Sequence, residues 1–450
     1  MIKYKLLTLM LFASFTSSLI ADEGLTIVAV GQAEKEVEKI LLDGPYLLND
    51  LTPKQLLLSR DIKSIIKNDF SFYKKSFFVE LKNEQKSKLN ESMKYEIEKM
   101  AGHKFVIRFQ VEAQGNSSIN MRLMAWNIEK SEQIFKIDKL ISKSNLRSSV
   151  HAITDQIYTK ITGKESIFTS KIYFVSDKHS SRYNKFQELY SMDYDGNAKV
   201  RITFHRGTVI SPAISYDRKK VVYSLISHKV TKNRNVNLYI YDFITKKHKL
   251  LSSRRGINSG AIFMPNGKEI LLTLSFGGNA EIYAMNIVNK SLRRITKNYS
   301  LDVDPSINSA GSLLAFLSGR SGRAMIYTMN PKGLEKSVKR ISFVGKYNAT
   351  PRFSPNGEKI VFSSWLDERF DLFRIDANGN SLSRLTKDFG SNEDPTFSND
   401  GEFIAFSSQR ILSRTRATHN IYIMDKNGDI LGSLTKNFGN CITPRWSKSL

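Results

Sequence analysis

A unit of four short strand-like stretches recurs through the second half of the chain, and its period limits the folds open to it. The fullest copy runs from Asn348 to Thr386, NATPRFSPNGEKIVFSSWLDERFDLFRIDANGNSLSRLT. Arg352–Ser354 reads as a short first strand, Lys359–Ser364 as an apolar second, Asp371–Asp376 as a third and Ser383–Thr386 as a fourth. Pro355-Asn356-Gly357 and Ala377-Asn378-Gly379 are turns, because Asn and Gly tolerate the positive φ of a tight reversal. No copy is long enough to bury a core alone, so neighbouring copies must cover one another. Equivalent first-strand positions fall at Pro212, Ala261, Pro305, Pro351, Pro395 and Pro444, spaced by 44 to 49 residues. Four strands at that period predict a β-propeller.

The last copy stops after Thr443-Pro444-Arg445-Trp446-Ser447. Its missing strands are supplied by Lys171–Ser176, Glu188–Asp193 and Arg201–Thr203. A blade built from both ends closes the ring at six blades and removes exposed sheet edges.

The preceding residues differ in texture. Lys3 and Lys5 before the apolar stretch Leu6–Ile20, with small Ala21 after it, predict an export signal over 1–21, too short for a comfortable membrane span. Residues 22–168 predict a small α/β domain, with a boundary to the propeller (169–450) near Phe168–Ser170. Within it, Leu25–Val30 predicts a strand and Ala33–Leu42 a helix ended by Gly44-Pro45. Helices are also predicted at Asp61–Asn68 and Glu84–Met100, and antiparallel strands at Lys104–Glu112, Ser118–Asn127 and Gln133–Ile137. The clearest helix has Ser144 as its N-cap, a stripe of Leu146, Val150, Ile153, Ile157 and Ile161, and Gly163 as its stop. The expected fold class is therefore α+β multidomain, a small N-terminal α/β domain followed by a closed six-bladed propeller.

Chemistry-bearing motifs are few. Asp193-x-Asp195-Gly196-Asn197, Asp376-x-Asn378-Gly379-Asn380 and Asp425-x-Asn427-Gly428-Asp429 resemble calcium-loop starts. The twelfth position of such a loop needs a bidentate Glu, and here it is Phe204, Lys387 or Lys436, so these are hairpin turns. Gly319-Arg320-Ser321-Gly322 is not a nucleophile elbow, and Gly163-Lys164 lacks the glycine spacing of a phosphate loop. The seven histidines have no metal-ligand spacing, and Cys441, the single cysteine, has no partner for an internal disulfide. The formal charge of +25 is spread along the chain without a basic block, which argues against a nucleic-acid surface. No cofactor and no metal are expected. The polar stretches before the first strands are the more informative place: Asn258-Ser259, Asp302-Val303-Asp304, Asn348-Ala349-Thr350, Asn392-Glu393-Asp394 and Asn440-Cys441-Ile442-Thr443. They read as loops converging on one mouth of the central channel. The acidic members Asp302, Asp304, Glu393 and Asp394 are oxygen ligands of the kind a hard cation accepts, although Asn and Asp also simply make turns.

The Ser-Pro-Asn-Gly turn, the Ile-Tyr-x-Met-Asp strand, the Arg-Leu-Thr ending and the joint HAITDQIYTKITGKESIFTSKIYFV (His151–Val175) together resemble the TolB family, exported propeller proteins of the Tol–Pal envelope system. The resemblance covers roughly residues 58–450. It implies a non-enzymatic periplasmic role: binding of a Pal-like lipoprotein at the channel mouth, contact with TolA through the mature N-terminus, and support of outer-membrane integrity and cell division. It nominates Asn258, Ser259, Asp302, Asp304, Asn348, Thr350, Asn392 and Asp394 as the partner-binding rim. Two other classes stay open, a propeller lyase or peptidase-like enzyme and a polyanion-binding module. Histidines recurring around the channel would favour the first, and clustered Lys/Arg with interleaved aromatics the second.

Overall fold

The computed structural model describes residues 36–228, 235–333, 335–413 and 416–449. The expected export signal and the strand Leu25–Val30 lie outside them. The N-terminal part holds β1 (Glu38–Leu47), α1 (Pro53–Phe72), β2 (Phe77–Leu81), α2 (Tyr95–Met100), β3 (Phe105–Gln114), β4 (Ser118–Asn127), β5 (Glu132–Ile141) and α3 (Leu146–Thr162). The sheet order is β2-β1-β3-β4-β5, parallel around β1 and antiparallel from β3 onward.

Two helix expectations fail. Glu38–Leu47 is the strand β1, interior to the sheet between β2 and β3, not a helix. Ile40, Leu41 and Leu42 are all fully buried, so a continuous apolar run covered on both faces fits an interior parallel strand. Gly44-Pro45 lies inside β1, where the register slips between Asp43 and Tyr46. Only Tyr95–Met100 of the predicted Glu84–Met100 helix is helical. Much of the stretch before it serves as a cover, with Leu89 and Met93, joined by Tyr95 at the helix start, on the cluster of Leu41, Val106 and Trp126.

Helix α1 is longer than expected because Thr52 and Gln55 form a capping box ahead of it. In α3 the cap position is Asn145 rather than Ser144. The Asn145 side chain instead accepts from the Ser142 amide at 2.8 Å, and Gly163 ends the helix in the left-handed conformation at φ 71°.

Six four-stranded sheets follow, and their innermost strands touch one another in a closed circle. In chain order these strands are Thr208–Ile214, Asn258–Phe263, Asp302–Ile307, Tyr347–Phe353, Ser391–Phe397 and Cys441–Trp446. The closing blade pairs Cys441–Trp446 with Lys171–Ser176, then Glu188–Asp193 and Val200–Arg201. The protein is thus a small α/β region followed by a six-bladed propeller.

The Arg-x-Thr ending of the repeat has a structural cause. In the blade that begins at Asn258, the buried Glu281 carboxylate accepts from Thr296 Oγ1 at 2.7 Å and Arg294 Nη2 at 2.9 Å, while Thr296 Oγ1 accepts the Ile282 amide at 2.9 Å. Asp371, Arg384 and Thr386 repeat the arrangement. The buried charge is satisfied and the short fourth strand is pinned.

Candidate functional site

The propeller has two unlike ends. At one, the turns between first and second strands and between third and fourth strands meet the N-terminal domain. Tyr73 donates to Asp400 at 2.6 Å, and Lys75 pairs with Asp425 at 2.6 Å and Asp429 at 2.5 Å. Arg147 of α3 pairs with Asp193 at 3.1 Å and Asp195 at 2.6 Å. Acidic residues of two calcium-like turns therefore serve as docking groups for a neighbouring domain. The other end, away from this domain, is the channel mouth.

At the mouth the nominated residues separate into two sets, and none lies in a free loop. Each belongs to an innermost strand, which starts several residues earlier than the sequence suggests. Asn258, Asp302, Asn348 and Asn392 are fully buried. Asn258 Nδ2 donates to the carbonyls of Arg254 at 2.7 Å and Val236 at 2.9 Å. Asn348 Nδ2 donates to Ser364 Oγ at 2.8 Å, and Asn392 Nδ2 to Asp371 at 3.2 Å. Asp302 accepts from Arg320 Nη2 at 2.8 Å. Burial pushes its carboxyl up to about 6 against the pull of that guanidinium. Asp302 and Asn348 bond within their own blades, and Asn258 and Asn392 reach back to the preceding blade, so this set ties the first strands to their own sheets and to the neighbouring ones.

Ser259, Asp304, Thr350, Glu393 and Asp394 are only partly buried. One residue of every first strand has positive φ: Ser211, Gly260, Asp304, Thr350, Asp394 and Thr443, between 49° and 62°. A register slip marks the same place in all six blades. Such bulges re-aim side chains at the end of a pairing. Asp304 accepts from Arg352 Nη2 at 3.0 Å, and Thr350 shares a hydrogen bond with Ser363 at 3.0 Å. Arg352 and Arg445, from the two strands flanking that of Asp394, are buried and offset the acidic charge. Sequence reasoning missed both arginines. Their signal was a basic residue directly after the recurrent proline in two of six copies. Among the described residues no three His, Cys, Asp or Glu side chains are placed to hold a metal ion.

Burial, then the adjacent Asp394 charge, raises the Glu393 carboxyl to about 7. The folded chain therefore holds this proton more tightly than the unfolded one, so this group's contribution to stability falls as pH rises from about 4.5 to about 7. The Glu393→Gln variant is expected to show a flatter melting-midpoint profile over that window and a higher midpoint at pH 7.5. An unchanged profile would contradict this.

Around the opening stand exposed apolar side chains: Phe204, Phe276, Tyr299, Leu301, Phe343 and Tyr347. All but Tyr347, which opens an innermost strand, occupy the connections between blades or between second and third strands. Arg201 lies 4.5 Å over the Phe204 ring and Arg340 4.5 Å over Phe343, which restrains rings left in water. Exposed apolar groups gathered on one face mark an interaction surface.

The TolB beta propeller domain model matches residues 158–450, well over half of the chain. The chain belongs to the TolB propeller family. A Tol-Pal system protein TolB of Francisella tularensis subsp. holarctica (strain OSU18) is 27% identical over 347 residues, covering 73% of this chain and 78% of that protein. Its counterpart in F. tularensis subsp. mediasiatica (strain FSC147) is 28% identical over 348 residues, with the same coverage of 73% and 78%. The crystal structure of TolB from Acinetobacter baumannii has a TM-score of 0.74 at 24% identity, covering 92% of this chain and 98% of that one. That likeness concerns the fold. It extends across the N-terminal domain, beyond the stretch matched by the family model.

Proposed function

We propose that this protein is a non-enzymatic periplasmic component of a Tol–Pal system that docks a Pal-like lipoprotein on the channel mouth. In this reading residues 1–21 are removed on export, 22–168 form the N-terminal domain and 169–450 the propeller. The mature N-terminus contacts TolA, and the coupled contacts support outer-membrane integrity and cell division. The observation that carries the reading is the mouth itself, where a ring of exposed aromatics surrounds partly buried Ser259, Asp304, Thr350 and Asp394, away from the N-terminal domain. Aromatic anchors carry much of the binding energy at protein–protein hot spots, and partly desolvated polar groups beside them add specificity. Asn258, Asp302, Asn348 and Asn392 support the rim from behind through their buried hydrogen bonds. The family membership favours this role over a lyase, a peptidase or a polyanion binder.

The test is a pull-down from solubilised envelope with the exported protein as bait, read by mass spectrometry. A Pal-like lipoprotein is expected in the eluate of the parent and depleted for a Phe343→Ala, Tyr347→Ala variant. Equal recovery with both baits would remove the mouth from the interaction.

A further inference from the structure

At the end of the propeller opposite the mouth, the blades beginning at Ser391 and Cys441 present acidic turns to the N-terminal domain, where Asp425 and Asp429 receive Lys75 and Asp193 and Asp195 receive Arg147. The next two blades, beginning at Thr208 and Asn258, present the opposite character at the same end, and to solvent. Their turns between third and fourth strands carry Ile244 and Val288 at the tips, 69% and 79% exposed. The two turns are built alike. Asp242 Oδ1 accepts the amides of Ile244 at 3.0 Å and Thr245 at 2.9 Å, and Asn286 Oδ1 accepts those of Val288 at 2.9 Å and Asn289 at 3.2 Å. Lys246 and Lys290 follow at equivalent positions with φ of 55° and 59°. Lys290 Nζ donates to the Leu250 carbonyl of the neighbouring blade at 3.1 Å, which sets the two turns side by side. Lys219, Lys246, Lys247, Lys268 and Lys290 lie in or beside the turns of these two blades at this end; all are exposed, and none makes an ion pair among the described residues. The acidic residues of the same turns, Asp217, Asp242 and Glu269, each accept a hydrogen bond within their own turn. Lysines scattered along the sequence are thus gathered by the fold around two aliphatic tips.

We propose that this face of the two blades docks on the surface of an anionic phospholipid bilayer, with Ile244 and Val288 entering the headgroup layer and the surrounding lysines facing lipid phosphates. Turn tips favour polar residues, so an aliphatic side chain held at each of two neighbouring tips calls for an apolar partner. The tips project as single side chains and can enter a soft layer without a shaped pocket to receive them. Membrane attachment of this kind adds buried apolar area to the attraction between basic residues and anionic lipid. A polynucleotide would instead call for aromatic stacking platforms among the lysines, and the exposed tips are aliphatic. The inference is independent of lipoprotein docking, because the mouth lies at the other end of the propeller and stays free when these turns meet a bilayer.

The test is flotation of the full mature protein with vesicles of phosphatidylglycerol and phosphatidylethanolamine in equal parts, with phosphatidylcholine vesicles as the neutral control, at low and at raised salt. The parent is expected to float with the anionic vesicles, to be released as salt screens its exposed charges, and not to float with phosphatidylcholine. Lys247→Glu with Lys268→Glu should weaken binding at least about tenfold. Ile244→Ser with Val288→Ser should weaken it at least about tenfold as well while leaving its salt dependence in place, because apolar burial and not charge is lost. All four positions are exposed, so both variants should keep the parental melting midpoint. Failure of the parent to float with anionic vesicles would overturn the assignment. So would parental binding by the charge-reversed variant, or by the serine variant, since the latter is what attraction to any polyanion would give.

Discussion

Removal of Thr443–Leu450 is expected to lower the melting midpoint of the propeller and to open an edge in its closing blade. The deleted stretch carries most of the innermost strand of the closing blade, paired with Lys171–Ser176. It contains Trp446, whose Nε1 donates to Ser170 Oγ at 2.8 Å, and Ser447, whose amide donates to the Lys171 carbonyl at 2.8 Å. Losing a buried Trp alone costs about 3–5 kcal/mol. With an unfolding entropy of about 2.1 cal/mol/K per residue, a propeller of roughly 280 residues shifts by about 1.7 °C per kcal/mol, so the melting midpoint should fall by at least about 5 °C. The freed edge of Lys171–Ser176 is a template for pairing with another chain, so oligomers should appear on size exclusion. A monomeric truncated protein with the parental midpoint would show that the ring does not depend on this strand.

The second large effect is expected at the joint between the two domains. Asp69 of α1 is fully buried and sits between His151 of α3 and Tyr194 of the first propeller turn. The Tyr194 hydroxyl donates to its Oδ1, and His151 Nδ1 lies 3.1 Å from its Oδ2. Arg147 Nη2 donates toward His151 Nε2 at 2.9 Å, which assigns the imidazole proton to Nδ1 and makes it a donor to Asp69. Burial raises the Asp69 carboxyl, and His151 and Tyr194 draw it back down. Asp69→Ala would strand two buried donors in the aromatic cluster of Phe70, Phe168 and Tyr194. Breaking one partner out of such a buried network costs about 3–5 kcal/mol. The urea midpoint should fall accordingly, and limited proteolysis should begin to cut between α3 and Lys171. Asp69→Asn, which keeps the shape and one acceptor, should lose less. Equal stability of Asp69→Ala and the parent would mean that the network does not hold the domains together.

Repetition explains what the sequence made legible and what it hid. Six copies of a strand–turn–strand pattern average out local ambiguity, so blade number and closure followed from the spacing of Pro212, Ala261, Pro305, Pro351, Pro395 and Pro444. The N-terminal domain offers one copy of each element. There the buried run at β1 and the cover before α2 were misassigned, because apolar residues on an interior strand carry no alternation to separate them from a helix. At the mouth, the positions nominated together proved to be unlike. Asn348 points into its blade and Asp304 pairs across to Arg352, a difference created by a bulge two residues after the first buried side chain. Arg352 and Arg445 were invisible for a related reason. A basic residue inside a strand reads as solvated until the ring that surrounds it is assembled.

Docking at the mouth is tested most directly by the affinity of the purified soluble domain of the Pal-like lipoprotein for two forms of this protein. One is the parent and the other carries Asp304→Asn with Asp394→Asn, which removes charge while keeping shape. Removing a buried, charge-assisted acceptor from an interface costs about 2–5 kcal/mol, and even 1.4 kcal/mol is about tenfold in affinity. The melting midpoint of the variant is measured alongside, because Asp304 also serves Arg352. The expected result is a stably folded variant that binds the lipoprotein at least about tenfold more weakly. A stably folded variant that binds it as tightly as the parent would place the interaction elsewhere on the molecule.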